Sequence, residues 1–356
     1  MFLTQLAALV ASVASVAVRA AGVPAAALRD AAPSSTLSAA LIALQSHLGI
    51  ADRAMGEDGA LALGKRLADD LENLDDSTAP DGWPQAAYDE RLRNVAALDA
   101  SLVDQVIRKR RDALHGTIGL AERFIVSTVD GTWQPFTLYV PKDLGPRAAL
   151  VVLLHGRPQT ESELLGGPYF RTLADATHTI IAAPWGRGHY DYYGVATDDV
   201  YQTASEVAAA FAIDPKRIYL AGYSMGGFSV FKVGPVHGGM WASAMCISGA
   251  ILNSETSAVR SAWSKTPIYI VNGKLDDSIP PQYGLMTAEW LAGVGIPTGF
   301  YQAPAGTHMV PTLMTELAQA WSDMLAGVVR NKPPAADAVS FPTPPQMIPG
   351  QSGVKP

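Results

Sequence analysis

Hydrophobic positions in the first third of the chain recur at helical spacing. Leu37, Leu41, Leu44 and Leu48 form one stripe, with Ser34 or Ser35 placed to cap it and Gly49 just after it. Leu63, Leu67, Leu71 and Leu74 form a second stripe. Pro84 opens a third segment, whose stripe is Tyr88, Leu92, Val95, Leu102 and Val106. The basic run Arg108-Lys109-Arg110-Arg111 is expected in the last turn of that helix, with Gly116 just beyond. Cations there meet the negative end of the helix dipole, an account preferred to a nucleic-acid patch. Residues 34–115 are thus expected to be a helical region, and no repeat runs across its helices.

The period then changes. Arg123 to Val129 alternates, Asp130-Gly131 is a hairpin signal, and Trp133 to Val140 alternates again. From Ala148 onward, short apolar runs recur between helical stretches: 149–154, 180–183, 217–221, 242–247, 268–271 and 299–301. Near-continuous apolar strands separated by helices predict a doubly wound, mostly parallel α/β sheet covered on both faces. The last stretch, Asn331 to Pro356, holds seven prolines and little apolar periodicity, so an extended or disordered tail is expected.

The first twenty residues have two readings. Leu6 to Val18 is an uncharged apolar run, and Val18-Arg19-Ala20 offers small residues for cleavage, as in a signal peptide. No Lys or Arg precedes the run, however, and Leu3, Leu6, Val10, Val13 and Ala17 would also share one face of a buried helix. Removal of residues 1–20 during export is the expectation; a cytoplasmic chain with a core helix is the alternative. The run is too short for a membrane span, so no stable membrane insertion is expected.

Composition narrows the function. Of 356 residues, 48% are hydrophobic and 17% charged, and the net charge of -7 argues against a nucleic-acid binder. The single cysteine, Cys246, rules out an internal disulfide and any Cys-rich metal or cluster site.

The strongest chemical signal is Arg217-Ile218-Tyr219-Leu220-Ala221-Gly222-Tyr223-Ser224-Met225-Gly226-Gly227. It reads as a strand, then Gly-x-Ser-x-Gly, then a helix from Gly227-Phe228. A nucleophile elbow needs small flanking residues so that strand and helix can approach, and its helix start brings free N–H groups near the serine. A serine nucleophile needs a base, and the base an orienting carboxylate. Asn272-Gly273-Lys274-Leu275-Asp276-Asp277 follows one later strand, and Gly306-Thr307-His308 follows the next. Ser224, Asp276 and His308 therefore stand as nucleophile, acid and base, with Asp276 preferred to Asp277. The oxyanion donors are expected to be the N–H groups of Met225 and of Arg157, the latter after the strand ending in His155-Gly156. Pro158 has no N–H to offer.

Together these motifs resemble the α/β-hydrolase superfamily. Pro184-Trp185-Gly186-Arg187-Gly188, Asp198-Asp199 and Ile213-Asp214-Pro215-Lys216-Arg217 extend the likeness. It is to the single-domain carboxylesterases related to prolyl oligopeptidase, feruloyl esterases and polyhydroxyalkanoate depolymerases. The resemblance covers about residues 120 to 328, within an expected catalytic domain of 118–328. It implies hydrolysis of a small-molecule or polymeric carboxylic ester through an acyl-serine intermediate, with no metal or organic cofactor. Disulfides, frequent in secreted depolymerases of this type, are excluded here by the single cysteine. The loop bearing Trp185, Tyr190, Tyr192 and Tyr193 falls at the carboxyl end of the sheet, where ligands bind in open α/β folds, so these aromatics are expected either to line the substrate site or, equally, to form a packed loop covering the core. Alternative readings are a serine peptidase of the prolyl-oligopeptidase type, a lipase or thioesterase, and a catalytically inactive binding module on the same fold. Oligomeric state is not legible.

Overall fold

The computed structural model describes residues 57–74, 78–146 and 148–333. The signal-like run, the stripe from Leu37 to Leu48 and the tail beyond residue 333 lie outside the described residues.

Eight strands form one sheet: β1 (Gly119–Val126), β2 (Trp133–Val140), β3 (Ala149–Leu154), β4 (Thr179–Pro184), β5 (Ile218–Tyr223), β6 (Ala244–Ile247), β7 (Ile268–Gly273) and β8 (Thr298–Ala303). Their order is β1-β2-β4-β3-β5-β6-β7-β8. The β1–β2 and β2–β4 pairs are antiparallel and the remainder are parallel. In β3, Leu150, Val152 and Leu154 enter one core while Ala149, Val151 and Leu153 enter the other. Burial on both faces is why this strand reads as a continuous apolar run rather than an alternation.

The helices follow from the same two faces. α5 (Val195–Ala210), α6 (Met225–Val233), α7 (Thr256–Ala262) and α8 (Pro281–Gly293) contribute Val200, Val230, Val259 and Leu291 to the first core. α3 (Glu161–Gly166), α4 (Pro168–Thr177) and α9 (Met314–Ala326) contribute Leu165, Phe170 and Trp321 to the second. α1 (Glu57–Leu74) and α2 (Gln85–Ile107) make a third, smaller core. There Leu63 and Leu67 meet Tyr88, Leu92, Val95, Leu102 and Val106, and the cluster closes on Phe124 of β1.

Two expectations shift. The basic run lies beyond α2, not in its last turn: Arg108 is the C-cap and Lys109 has a positive φ of 51°. Arg108 bonds Asp104 at 2.8 Å and Asp112 at 3.2 Å, and Arg111 donates to the Phe124 carbonyl at 3.0 Å, so local acceptors hold the run. β1 spans 119–126 rather than 123–129, because the turn begins at Ser127. The Ser127 N–H donates to the Thr132 carbonyl and the Gly131 N–H to that of Ser127, both at 2.8 Å. Thr128 and Val129 are thereby in the turn, and Val129 is exposed. No described helix is long and apolar enough to cross a membrane.

Candidate active site

β5 ends at Tyr223, and α6 begins at Met225, leaving Ser224 alone at the corner. The helix therefore starts two residues earlier than its sequence suggests. Ser224 has φ 55° and ψ -115°, a conformation that a non-glycine residue holds at a cost of about 1–3 kcal/mol. The glycines around it are required by contact. A Cβ on Gly222 would lie 2.1 Å from the Gly226 carbonyl oxygen, and one on Gly226 would lie 2.2 Å from that of Leu154. The strand-helix corner and the end of β3 meet through these two bare backbones.

Asp276 and His308 arrive on the loops after β7 and β8. Lys274 N–H donates to the Ala303 carbonyl at 2.9 Å and Leu275 N–H to that of Gly306 at 2.8 Å, lacing the two loops together. His308 Nε2 is 3.0 Å from Ser224 Oγ, and His308 Nδ1 is 2.9 Å from Asp276 Oδ2. A carboxylate only accepts, so Nδ1 carries the proton toward Asp276 and Nε2 is free to accept from the serine hydroxyl. The other Asp276 oxygen accepts from the Ser278 and Ile279 N–H groups at 3.0 and 2.8 Å. The Asp276 side chain is sealed from solvent, whereas that of His308 is partly exposed. Asp277, its neighbour, is exposed.

The end of β3 reaches the same corner: a Cβ on Gly156 would stand 3.1 Å from the Ser224 Cβ. Met225 occupies the first position of α6, where backbone N–H groups have no partner within the helix. The Arg157 side chain turns away, its Nη2 donating to the His189 carbonyl and lying 3.7 Å from Asp191. Among the described residues, no group of three or more His, Cys, Asp or Glu is arranged to hold a metal ion.

Residues 151–350, more than half of the chain, match the alpha/beta hydrolase family. The chain belongs to that family. A stretch of 152 residues is 30% identical to the bifunctional acetylxylan esterase/xylanase XynS20E of Neocallimastix patriciarum, covering 41% of this chain. The match spans only 22% of that protein's length. Similar solved structures include a thermostable esterase (19% identity, 59% of this chain and 63% of that one, TM-score 0.49). Another is the fluorophosphonate-binding serine hydrolase F of Staphylococcus aureus (20% identity, 59% and 99% covered, TM-score 0.49). A third is a ferulic acid esterase (15% identity, 59% and 99% covered, TM-score 0.47).

In this alpha/beta hydrolase the four aromatics of the β4–α5 loop divide. Tyr190 and Tyr193 are 65% and 80% exposed. Trp185 and Tyr192 are buried, at 3% and 0%. Their burial corrects the expected substrate wall, and the reason is plain at Tyr192. Its φ of 55° turns the ring inward onto Gly186, where a Cβ would come within 2.3 Å of it. Its hydroxyl accepts from the His155 N–H at 2.8 Å and donates to the Pro184 carbonyl at 3.1 Å, so its polar capacity is used inside the protein. His189 on the same loop is held neutral by burial, with help from His155 and Arg157, its pKa falling to about 4. It therefore makes no ion pair with Asp69, 3.6 Å away, near neutral pH.

Two groups escaped the sequence analysis. Tyr223, the residue before the serine, donates from its hydroxyl to the His308 carbonyl at 2.8 Å and packs its ring 5.3 Å from that imidazole. The other is the buried set around Arg66, which touches Asp70, Asp99, Glu122 and Glu161. Its signal was present: Arg66 and Asp70 interrupt the apolar face marked by Leu63 and Leu67, and charges on a buried stripe need partners.

Proposed function

We propose that the protein is a serine esterase that cleaves carboxylic esters through an acyl-serine intermediate. The observation that carries this is the unbroken run of contacts from Ser224 Oγ through the His308 ring to Asp276. Ser224 Oγ attacks the ester carbonyl carbon while its proton passes to His308 Nε2. The carbonyl oxygen becomes an oxyanion, which the Met225 and Arg157 N–H groups receive. The intermediate collapses, the C–O bond to the alcohol breaks, and His308 returns the proton to the leaving oxygen. Water, giving a proton to His308, then attacks the acyl-serine carbonyl; as that intermediate collapses the bond to Ser224 Oγ breaks, His308 returns the proton to Oγ, and the acid leaves. Asp276 keeps the imidazole in the required tautomer throughout and stabilises its protonated form.

Acyl groups on a polysaccharide are the first substrates to try, since the relative from Neocallimastix patriciarum is named as an acetylxylan esterase/xylanase. Exposed Tyr190 and Tyr193 support a flat or polymeric substrate. Export belongs to the same proposal, and the mass of the mature protein from its native host tests it.

The deciding experiment joins fluorophosphonate labelling to a panel of nitrophenyl, feruloyl and acetyl-sugar esters, with an aminoacyl nitroanilide to detect peptidase activity. Ser224→Ala should abolish labelling and lower ester turnover by about 10⁴ to 10⁶. Turnover within tenfold of the parent would rule the proposal out.

A further inference from the structure

The loop from His155 to Gln159 hangs between two anchors. Its upstream end is held from inside the sheet domain, where the His155 N–H donates to Tyr192 Oη at 2.8 Å. The His155 ring nitrogens lie 2.8 Å from the Gly156 carbonyl and 2.9 Å from that of Trp185. Its downstream end is held by α1, some ninety residues earlier in the chain. Asp70 uses both carboxylate oxygens there: Oδ1 accepts from Thr160 Oγ1 at 2.5 Å and Oδ2 from Ser162 Oγ at 2.9 Å. Arg66 Nε donates to Glu161 Oε1 at 2.6 Å, and Arg66 Nη1 lies 2.9 Å from Asp70. Every side chain in this joint is fully buried.

We infer that Asp70 and Arg66 are positioning residues for the oxyanion donor on Arg157, an inference that rests on the esterase proposal. The apolar residues of α1 already pack on α2 and Phe124, and a buried ion network is a costly addition to that contact. What the network adds is direction. One carboxylate fixes two hydroxyls two residues apart, and Arg66 fixes the residue between them. Residues 160–162 cannot slide along α1, so the three residues between Gly156 and Thr160 span two fixed points. An oxyanion donor works only within roughly 2.7–3.1 Å of the developing charge, a tolerance that apolar contacts do not enforce. Helix α1 thus acts on the reaction rate through Arg157, although it touches no reacting atom.

The test uses the full chain and nitrophenyl acetate. Asp70→Asn and Thr160→Val should each lower kcat by about 10- to 100-fold, less than outright loss of a donor, with KM changed by no more than about threefold. Thr160→Ser retains the hydroxyl and should stay within about twofold of the parent. Ser162→Ala, the mildest lesion, should fall between. Tyr269→Phe removes a buried hydroxyl bonded to the Asp323 carbonyl far from the loop and should lower the melting temperature without changing kcat. A parental kcat in Asp70→Asn or Ser162→Ala, or a rise in KM at unchanged kcat, would overturn the inference. So would an equal loss in Thr160→Ser and Thr160→Val. Loss of activity in Ser224→Ala alongside an unaffected Asp70→Asn defeats the positioning role alone. Activity that survives Ser224→Ala defeats the esterase proposal as well.

Discussion

Asp276 and Asp277 are chemically identical neighbours with opposite surroundings. Asp276 is 4% exposed, accepts two backbone N–H bonds on one oxygen and faces His308 with the other. Asp277 is exposed, and its contact is the Ser278 hydroxyl 3.5 Å away. Asp276→Asn should place a proton donor against Nδ1, favour the wrong imidazole tautomer and lower kcat by about 10⁴. Asp277→Asn should cost less than about tenfold, as expected for a solvated loop residue. Parallel kcat measurements decide, and the reverse order would exchange the two roles. The positions of Ser224, Asp276 and His308 were legible because close backbone approach demands glycine at fixed offsets, and glycine is visible in a sequence. Gly273 is pressed onto Gly306, where a Cβ would lie 2.3 Å from its carbonyl oxygen. Tyr192 was not legible in the same way. Its type suggests a binding wall, but its backbone angle, which sets direction, leaves no mark in the residue name.

At the scale of elements, the joint between α1, α3 and the β1–β2 hairpin gathers more acids than bases. Glu122 of β1 accepts from Thr137 Oγ1 of β2 at 2.8 Å and lies 3.8 Å from Arg66 of α1. Burial first, and then the charges of Glu161 of α3 and Asp70 of α1, raise its pKa from the usual 4.5 to about 8, against the pull of Arg66. Glu163, bonded to Arg91 and Asn73, is raised to about 8 as well, again chiefly by burial. Between the unfolded and folded values each acid takes up a proton on folding. The stability this supplies is complete below about pH 4.5, falls as pH rises, and is gone above about 8. The melting temperature should accordingly drop between about pH 5 and pH 8. Glu122→Gln keeps an acceptor for Thr137 without a charge to desolvate, so it should flatten that drop and melt higher than the parent at pH 8. A gain of the order of a few kcal/mol corresponds to several degrees in a domain of this size. Thermal melts of both proteins across this range test it, and an identical slope would show that Glu122 is ionised in the folded protein. The strands and helices here were readable from periodicity, whereas the joint depends on which charges meet across some ninety residues.

For the whole molecule, the question is whether α1 and α2 are an appendage. The family match begins at residue 151, and Ser224, Asp276 and His308 all lie beyond it. Yet α1 and α2 contribute eight buried apolar side chains to one cluster with Phe124: Leu63, Leu67, Tyr88, Leu92, Val95, Leu102, Val103 and Val106. Burying one such side chain fully contributes roughly 1.5–3 kcal/mol, so losing even half of this cluster approaches a typical domain's entire margin of about 5–15 kcal/mol. Lost hydrogen bonds add to this. Without the two helices, Glu161 loses its bond from Arg66 and Glu163 those from Arg91 and Asn73, and a buried acceptor left unsatisfied costs about 1–3 kcal/mol. A chain beginning at Thr117 should therefore be insoluble, or melt many degrees lower, although it keeps Ser224, Asp276 and His308. A chain beginning at Ala21 retains every one of these contacts and should match the full chain in melting temperature and turnover. Expression of both, followed by thermal melts and fluorophosphonate labelling, separates the outcomes. A soluble, normally labelled chain from Thr117 would mean that the sheet domain folds by itself, and that Glu161 and Glu163 find water or protons in place of Arg66 and Arg91.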